Sequence, residues 1–302
     1  MAIAEAREPP APPRRRRRLD LTTPTLLGLP LAWLVVFFLA PIAIVAAYSL
    51  DVYSLDPGPH SLTLSAWHDF VHSSIYLKLF WKSVKMSLAV SAIVVVLAYP
   101  LAYYLALSGT KRKYVLLLLL IAPFLTSYLL RVLAWKVILG DQGVINSFLF
   151  WTGIRDPDHP LSQLLYSRFA VMLVLGYIWL PFVALPIFVS LETLDRSLLE
   201  AASDLGASRR WAFLRVTLPL SVPGIFAGFL FVFIPTLGEF VTPSLVGGAS
   251  GYLYGNQIVD LFGAGFPDWE TGSVLSIFLL VVVAALTVVF SRFLRTGQVA
   301  AR

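Results

Sequence analysis

The side chains best placed for chemistry in this sequence are two ionisable residues inside apolar runs, Glu239 and Arg131. If the run 220–245 is a helix, Glu239 lies about 22–28 Å from its start at ~1.5 Å per residue. An ionisable group at that depth in a membrane helix is by default a functional-site candidate. A carboxylate there would bind a cation or pair with Arg131, which lies at a similar depth in the run 114–139. Both interpretations stay open.

Covalent catalysis and metal binding have little support. The chain has no cysteine, which excludes disulfides, thiolate catalysis and cysteine metal sites. His68 and His72 have the i, i+4 spacing of two metal ligands, but no carboxylate motif accompanies them, so a surface pair is the better interpretation. Asp156, Asp158 and His159 lie in a proline-rich loop, which is typical of a turn. We therefore expect no metal site and no enzyme active site in this chain.

Composition indicates an all-α integral membrane protein. The 302 residues are 58% hydrophobic and 13% charged, with a mean hydropathy of +0.80. A soluble domain carries about 25% charged residues, whereas several runs here reach the ~20 apolar residues that cross hydrocarbon as a helix. The six predicted transmembrane helices are residues 26–50, 84–107, 114–139, 169–191, 220–245 and 273–294. Residues 26–302 would form one transmembrane domain after a basic, Pro- and Arg-rich cytoplasmic tail, residues 1–25.

The distribution of Lys and Arg predicts the orientation. Sixteen of the 23 lie in the N-terminal tail, the 111–113 and 192–219 loops and the C-terminus. The five on the opposite side are Lys78, Lys82, Lys85, Arg155 and Arg168. Because Lys and Arg accumulate in cytoplasmic loops, both termini are expected in the cytoplasm. The net charge of +6 is thereby assigned to topology and to anionic membrane lipid, not to nucleic acid.

Three loops are expected on the outer side. Residues 51–82 include a semi-polar stretch, 65–80, that could form an interfacial helix, and residues 140–168 read as a turn-rich loop. The third loop, 246–272, is rich in Gly and aromatic residues and contains three acids and no Lys or Arg: Asp260, Asp268 and Glu270. Pro235 and Gly238, beside Glu239, predict a broken helix whose free carbonyl groups line a cavity.

A polar, charge-rich segment, EAASDLGASRRWAFLRVTLPLSVP, runs from Glu200 to Pro223 and lies mostly in the loop 192–219. Ser197 and Glu200 have the spacing of a capping box, which predicts a helix starting at Ser197. Gly206 suits the left-handed position that ends such a helix, and Ser208 would cap a second short helix. The residues whose small size would let another protein approach the backbone are Ala201, Ala202 and Gly206. An ordinary capped loop is the alternative.

The spacing E-A-A-x-x-x-G, then nine residues, then V-x-L-P, resembles the EAA loop of ABC importer permeases. The residues that form it are Glu200, Ala201, Ala202, Gly206, Val216, Leu218 and Pro219. From the second predicted helix onward, residues 122–146, 238–248 (GEFVTPSLVGG), 255–258 (GNQI) and Asp268-Trp269 are most similar to the permeases of spermidine/putrescine importers. The resemblance implies a type I ABC importer permease with a coupling helix between transmembrane helices 4 and 5. The implied contacts with the ATPase are Glu200, Ala201, Ala202, Asp204, Leu205, Gly206 and Arg210.

The resemblance also implies the partners and the location. These are two ATP-binding subunits, a second related permease forming a heterodimer, a periplasmic solute-binding protein and the lipid of the bacterial inner membrane. The chain has no G-x-x-x-x-G-K-[ST] phosphate loop, so ATP and Mg²⁺ would bind to the partner ATPase subunits and no cofactor would bind directly.

The implied substrate is a polyamine, which needs carboxylates and aromatic faces along its path. The candidate path residues are Glu239, Asp260, Tyr177, Trp179, Phe240 and Asn256, with Tyr128 and Gln257 near them. Two alternatives stay open. The same machinery could carry another small organic solute, such as an opine or an aminophosphonate, or the chain could be a channel subunit that is not coupled to ATP.

Overall fold

The computed structural model describes residues 22–53, 61–108, 112–263 and 267–299, and its side chains from residue 27 to residue 292 within these ranges. Most of the predicted tail, residues 1–21, lies outside the described residues. All regular secondary structure in the described ranges is helical. Five helices are long and apolar enough to cross a membrane, and a strongly bent pair makes a sixth span if it counts as one. The prediction of an all-α membrane protein is confirmed.

The helices alternate between long spans and short connecting segments. In chain order they are α1 (Thr22–Ser49), α2 (Ser65–His72), α3 (Ser74–Leu107), α4 (Lys113–Ile121), α5 (Tyr128–Leu139), α6 (Val144–Trp151), α7 (Arg168–Glu192), α8 (Arg196–Asp204), α9 (Arg209–Ala212), α10 (Leu218–Leu237), α11 (Gly248–Gly251), α12 (Tyr254–Gly263) and α13 (Trp269–Val299). A 3₁₀ turn covers Ala122–Leu125, and π-helical turns cover Phe213–Thr217 and Pro243–Gly247.

The chain divides into two units, residues 1–45 and 46–302. The first unit contributes most of α1, a helix that continues through Pro30 and Pro41. The predicted first span is therefore present. The second unit contains all the other helices, and the structure below is that of this unit.

The core of the second unit is the packing of α3, α7 and α10. Val90, Val94, Ala98 and Ala102 recur every fourth residue on α3, which places them on one buried face. On α10, a Cβ at Gly228 would lie 3.0 Å from Val183 Cγ1 and 3.1 Å from its Cα, so the two backbones approach closely. Small residues serve this purpose in membranes, where helices associate through close packing and not through a hydrophobic driving force.

The predicted third span, 114–139, is not one helix. α4 ends at Ile121, the chain passes through the 3₁₀ turn, and the direction changes by 88° between Lys113–Leu125 and Tyr128–Trp151. Pro123 lacks an amide hydrogen, and Thr126 and Ser127 are extended, with ψ of 154° and 137°. The continuous helix was therefore a wrong prediction, and Arg131 lies after the bend.

Two helix boundaries and two loops also differ from the predictions. α3 begins at Ser74 and not at Val84, so the stretch 65–80 is divided between α2 and the first turns of α3. The fifth span stops at Leu237 and not at Leu245. The turn-rich loop 140–168 contains α6, and the loop 246–272 contains α11 and α12.

Candidate functional site

The loop between α7 and α10 folds as two short helices, as the sequence indicates, but α8 starts differently. Asp195 is its N-cap, and its Oδ1 accepts a hydrogen bond of 2.9 Å from the Ser197 amide. Hydrogen bonds from Ser197, chiefly from its backbone amide, lower the pKa of the Asp195 carboxyl. The predicted capping box, with Ser197 as cap and Glu200 as its partner, is wrong because the acid two residues earlier already satisfies the exposed amides.

The turn between α8 and α9 has the predicted backbone. Gly206 has a φ of +77°, and the Ala207 amide donates to the Ala202 carbonyl at 3.0 Å. Ser208 then caps α9, since its Oγ accepts from the Trp211 amide at 3.3 Å. A left-handed residue is favourable only for glycine, so the turn depends on Gly206.

The two faces of α8 have different surroundings. Ala202 is only 6% exposed and packs onto the protein itself, so this predicted docking residue is not on the free surface. Ala201 and Gly206 are exposed, and Leu205 between α8 and the turn is 89% exposed. The other predicted coupling residues that are exposed are Glu200, Asp204 and Arg210. The candidate docking surface, which we call the coupling edge, consists of the exposed residues Ala201, Leu205 and Gly206.

The coupling loop is fastened to the transmembrane helices on two sides. Phe213 packs edge-on against Tyr99 and Tyr103 of α3, with ring centroids 5.8 and 5.7 Å apart. At the end of α7, Glu192 Oε1 accepts from the Lys113 ammonium at the start of α4. Phe213 therefore links the segment after α9 to α3, and Glu192 links the end of α7, where the loop begins, to α4.

A cleft of about 370 Å³ separates the loop from the end of α3. Its lining includes Tyr103, Leu107, Arg196, Leu199, Glu200, Ser203 and Arg209. The cleft is open to solvent and leaves room for α8 to move relative to α3.

The second candidate region is the chain break that follows α10. The helix ends at Leu237, and Glu239 Oε1 accepts a hydrogen bond of 3.0 Å from the Thr242 amide, which caps the helical turns that follow. Tyr128 of α5 joins the same group, with its hydroxyl 2.6 Å from Thr242 Oγ1. A Cβ at Gly255 would lie 2.6 Å from the Gly238 carbonyl oxygen, so the start of α12 packs directly on the break. The predicted broken helix at Glu239 is therefore present.

Arg131 does not form the predicted ion pair. Among the residues that the structure describes, no carboxylate lies within ion-pair distance of its guanidinium, and Glu239 pairs with the Thr242 amide instead. Arg131 is 8% exposed, with its Cζ 5.6 Å from the Phe124 ring centroid and 6.0 Å from that of Tyr128. Both side chains lie near Tyr128, whose ring is close to Arg131 and whose hydroxyl bonds to Thr242 beside Glu239, but they do not pair with each other.

The other predicted path residues fall into two groups. Phe240 and Tyr177 are exposed, and Tyr177 packs edge-on against Trp135. Asp260 is exposed and accepts a hydrogen bond of 2.6 Å from the Tyr252 hydroxyl. Burial, and to a smaller extent the neighbouring Asp260 carboxylate, raises the pKa of the Tyr252 hydroxyl. These three side chains remain accessible to a ligand.

Asn256 is buried and Trp179 is half-buried. Asn256 is 4% exposed, and its side chain bonds to the Leu253 amide, the Phe240 carbonyl and Ser244 Oγ. These hydrogen bonds join α12 to the break after α10, so the side-chain amide of Asn256 is not available to a substrate. Trp179 packs against Phe182 at 5.4 Å, and its indole Nε1 is buried without a hydrogen-bond partner among the described residues.

Two contributors were missed by sequence reasoning. Thr242 follows Glu239 by three residues and precedes Pro243, a spacing that indicates an acidic N-cap and could have been recognised. Tyr252, which holds Asp260, has no such local signal. His68 and His72 stack at 4.1 Å on the surface, and the described residues contain no group of three or more potential metal ligands.

Comparisons with known proteins cover most of the chain. Residues 98–296 match the family of binding-protein-dependent transport system inner membrane components. The spermidine/putrescine transport system permease protein PotB of Escherichia coli is 39% identical over 218 residues, which is 72% of this chain and 78% of that protein. PotB of Haemophilus influenzae is 37% identical over 264 residues, 86% of this chain and 90% of that protein.

The fold is also similar to that of a solved transporter. A chain of a bacterial ABC transporter involved in the import of the acidic polysaccharide alginate aligns with a TM-score of 0.69 and 18% identity, over 92% of this chain and 96% of that one. At this identity the similarity shows the fold alone.

Proposed function

Since the chain belongs to the family of binding-protein-dependent transport system inner membrane components, we propose that it is the permease of an ATP-driven importer that takes up polyamines such as spermidine and putrescine. In this proposal, ATP and Mg²⁺ are bound by two ATP-binding subunits, and a second, related permease completes a heterodimer. A periplasmic binding protein delivers the substrate. Both termini lie in the cytoplasm, as the distribution of Lys and Arg predicts.

The observation that carries the proposal is the carboxylate of Glu239 at the break after α10. It accepts from one backbone amide, and no cation among the described residues pairs with it. Phe240, the next residue in the chain, has an exposed ring. The Tyr128 hydroxyl bonds to Thr242, the residue whose amide donates to Glu239. A carboxylate next to aromatic surface is the environment that an organic ammonium group recognises.

The charges around the approach to this break support a cationic substrate. Between residues 246 and 272 the charged residues are acids, of which Asp260 lies exposed on α12. The exposed Asp260 is therefore a second carboxylate, besides Glu239, that an ammonium group could contact. The relatives named above as spermidine/putrescine permeases support the same assignment.

The coupling edge supports the ATP-driven part of the proposal. Ala201 and Gly206 offer little side chain, and Leu205 offers a large apolar surface that is almost fully exposed in the isolated chain. An ATP-binding subunit that covers Leu205 would bury apolar area worth roughly 1.5–3 kcal/mol. Motion of that subunit would then reach the transmembrane helices through Phe213 and the Lys113–Glu192 pair.

The test is transport by the complete complex in proteoliposomes, with the binding protein present. Glu239→Gln removes the charge at nearly constant shape, and a charge-assisted hydrogen bond is worth about 1.5–3 kcal/mol. We therefore expect spermidine uptake to fall about 10- to 100-fold, while the amount of assembled complex stays the same. Asp141→Asn, at an exposed acid after α5, is the matched control and should transport normally.

Two outcomes would contradict the proposal. If Glu239→Gln transports spermidine normally, the carboxylate has no role in the path. If the variant complex dissociates, Glu239 is structural. Stimulation of ATP hydrolysis by an opine or an aminophosphonate, but not by a polyamine, would assign a different substrate to the same machinery.

A further inference from the structure

A cavity of about 840 Å³ lies between the first half of α3 and the start of α7, at the end of α3 remote from the coupling loop. Its charged lining is entirely cationic and consists of Lys78, Lys82, Lys85 and Arg168. The three lysines follow at intervals of four and three residues, which places them on one face of α3. Four of the five Lys and Arg that the sequence assigns to the outer side therefore meet in one place.

These cations are not neutralised within the chain. Among the described residues, none of the four forms an ion pair with a carboxylate. Arg168 donates from Nε to the Ser250 carbonyl at 2.9 Å, which holds its guanidinium in the cavity wall but leaves the charge uncompensated. Several cations held together near low-dielectric surroundings favour the binding of an anion.

The position along α3 places these charges at the membrane boundary. α3 has 34 residues and is therefore about 51 Å long, whereas the hydrocarbon core is about 30 Å thick. If the end at Leu107 meets the cytoplasmic boundary, about 20 residues bring the opposite boundary near Met86. Lys82 and Lys85 then lie in the headgroup layer, and Arg168, the first residue of α7, lies at the same level.

The cavity continues past this level into apolar surroundings. Met86, Ala89 and Met172 line its inner part, and Leu77 lies nearer the mouth. Trp81 also lines the cavity and is 58% exposed in the isolated chain, which is typical of a tryptophan at the membrane interface. The lining is thus cationic at headgroup level and apolar at acyl-chain level.

We propose that this cavity is a binding site for an acidic phospholipid of the outer leaflet, with the phosphate among Lys82, Lys85 and Arg168 and an acyl chain along Met86, Ala89 and Met172. The site rests on the membrane orientation in the proposed function but not on the polyamine. A carboxylate-bearing surface of the binding protein or the second permease would complement the charges alone. Only a lipid complements both halves of the cavity.

The experiment measures lipid retention by the complete complex in the absence of substrate. The complex is reconstituted in nanodiscs of phosphatidylcholine with added phosphatidylglycerol, and the lipids retained after release are counted by native mass spectrometry. One cation contributes about 1 kcal/mol near an anionic lipid, so Lys82→Gln and Lys85→Gln should each lower phosphatidylglycerol retention about fivefold. Arg155→Gln removes an exposed outer cation that does not line the cavity and should retain the lipid like the unaltered protein. Lys85→Arg, which keeps the charge, should also retain it.

Several results would overturn the proposal. They are equal retention of the two lipids by the unaltered complex, a loss in Arg155→Gln as large as in Lys85→Gln, and displacement of the bound lipid by inorganic phosphate alone. Unchanged retention in the Gln variants with weakened binding of the solute-binding protein would assign the cavity to protein carboxylates. Because no substrate is present, failure here leaves the polyamine proposal intact, and failure of spermidine transport leaves this one intact.

Discussion

Replacing Gly206 by glutamine tests whether the coupling edge docks against another subunit. Gly206 has a φ of +77°, and no heavy atom lies within 4 Å of the place where a Cβ would be. The substitution therefore creates no clash inside the chain, but an L-residue in the left-handed region costs roughly 1–2 kcal/mol. We expect the variant to insert into the membrane and assemble its helices with a modest loss of stability.

Gly153 provides a control with the same backbone cost. Its φ is +71°, its surroundings are equally open, and it lies in the exposed turn after α6, far along the chain from the coupling loop. Any difference between Gly206→Gln and Gly153→Gln therefore reports the environment of the added side chain in the assembled complex, and not the strain of the turn.

The expected difference follows from the cost of overpacking a fitted interface. Extra methylene groups in a close-packed contact cost about 1–3 kcal/mol, which corresponds to about a 5- to 150-fold loss. The measurement is spermidine uptake and binding-protein-stimulated ATP hydrolysis per assembled complex. Gly206→Gln should lose both relative to Gly153→Gln. Equal uptake by the two variants would show that the edge of α8 faces solvent or lipid, and the docking argument would fail.

Two further predictions concern the local structure. Asp195→Ala should weaken the hydrogen-exchange protection of α8, since Asp195 caps this helix. Because hydrogen bonds lower the pKa of Asp195, the stabilisation from this cap is fully present above the ordinary pKa of 3.8. It is lost as the pH falls through the lowered pKa. Asp195→Asn keeps a capping side chain and should remove this acid dependence, and persistence of the dependence would exclude Asp195 as its source. Gly228→Ala should lower the thermal midpoint of the purified complex, because its Cβ would lie 3.0–3.1 Å from Val183 and overpacking costs about 1–3 kcal/mol. Gly176→Ala, whose nearest neighbour would be 3.9 Å away, is the control, and equal midpoints would contradict the close approach of α10 and α7.

The parts of the fold that the sequence predicted are those set by local physical chemistry. α1, α7 and α13 coincide with apolar runs, since a spanning helix must satisfy its backbone internally and present apolar side chains outward. The turn at Gly206 was predictable because the left-handed conformation favours glycine. The break beside Glu239 was predictable from Gly238 and Pro235 together.

The bend of the third span could not be derived in the same way. Pro123 lies at the bend, but Pro100 and Pro181 lie inside the continuous helices α3 and α7. A proline removes one backbone hydrogen bond, and whether the helix continues depends on the neighbours that replace it. Those neighbours are tertiary contacts, which an apolar run does not encode.

Side-chain direction was the other limit. Arg131 and Glu239 have similar depth along their helices, but Arg131 packs near the Phe124 and Tyr128 rings and Glu239 accepts from the Thr242 amide, so the two do not pair. Ala202 belongs to the small-residue motif, yet it faces the protein and leaves Ala201 and Gly206 on the surface. A motif gives the residues, and the helix packing decides which of them are accessible.

The two candidate regions are the ends of one helix. α10 follows the π-helical turn Phe213–Thr217 of the coupling loop without interruption and ends at Leu237, two residues before Glu239; its 20 residues span about 30 Å. Gly228 holds its backbone against α7, so its middle cannot bend without displacing α7 as well. The π-helical turn and the break at Gly238 lie at its two ends, and Pro223 and Pro235 lie within it; all of these are positions where helices change direction. If the coupling edge docks against an ATP-binding subunit, as we propose, α10 is the element that joins the coupling loop to the break beside Glu239.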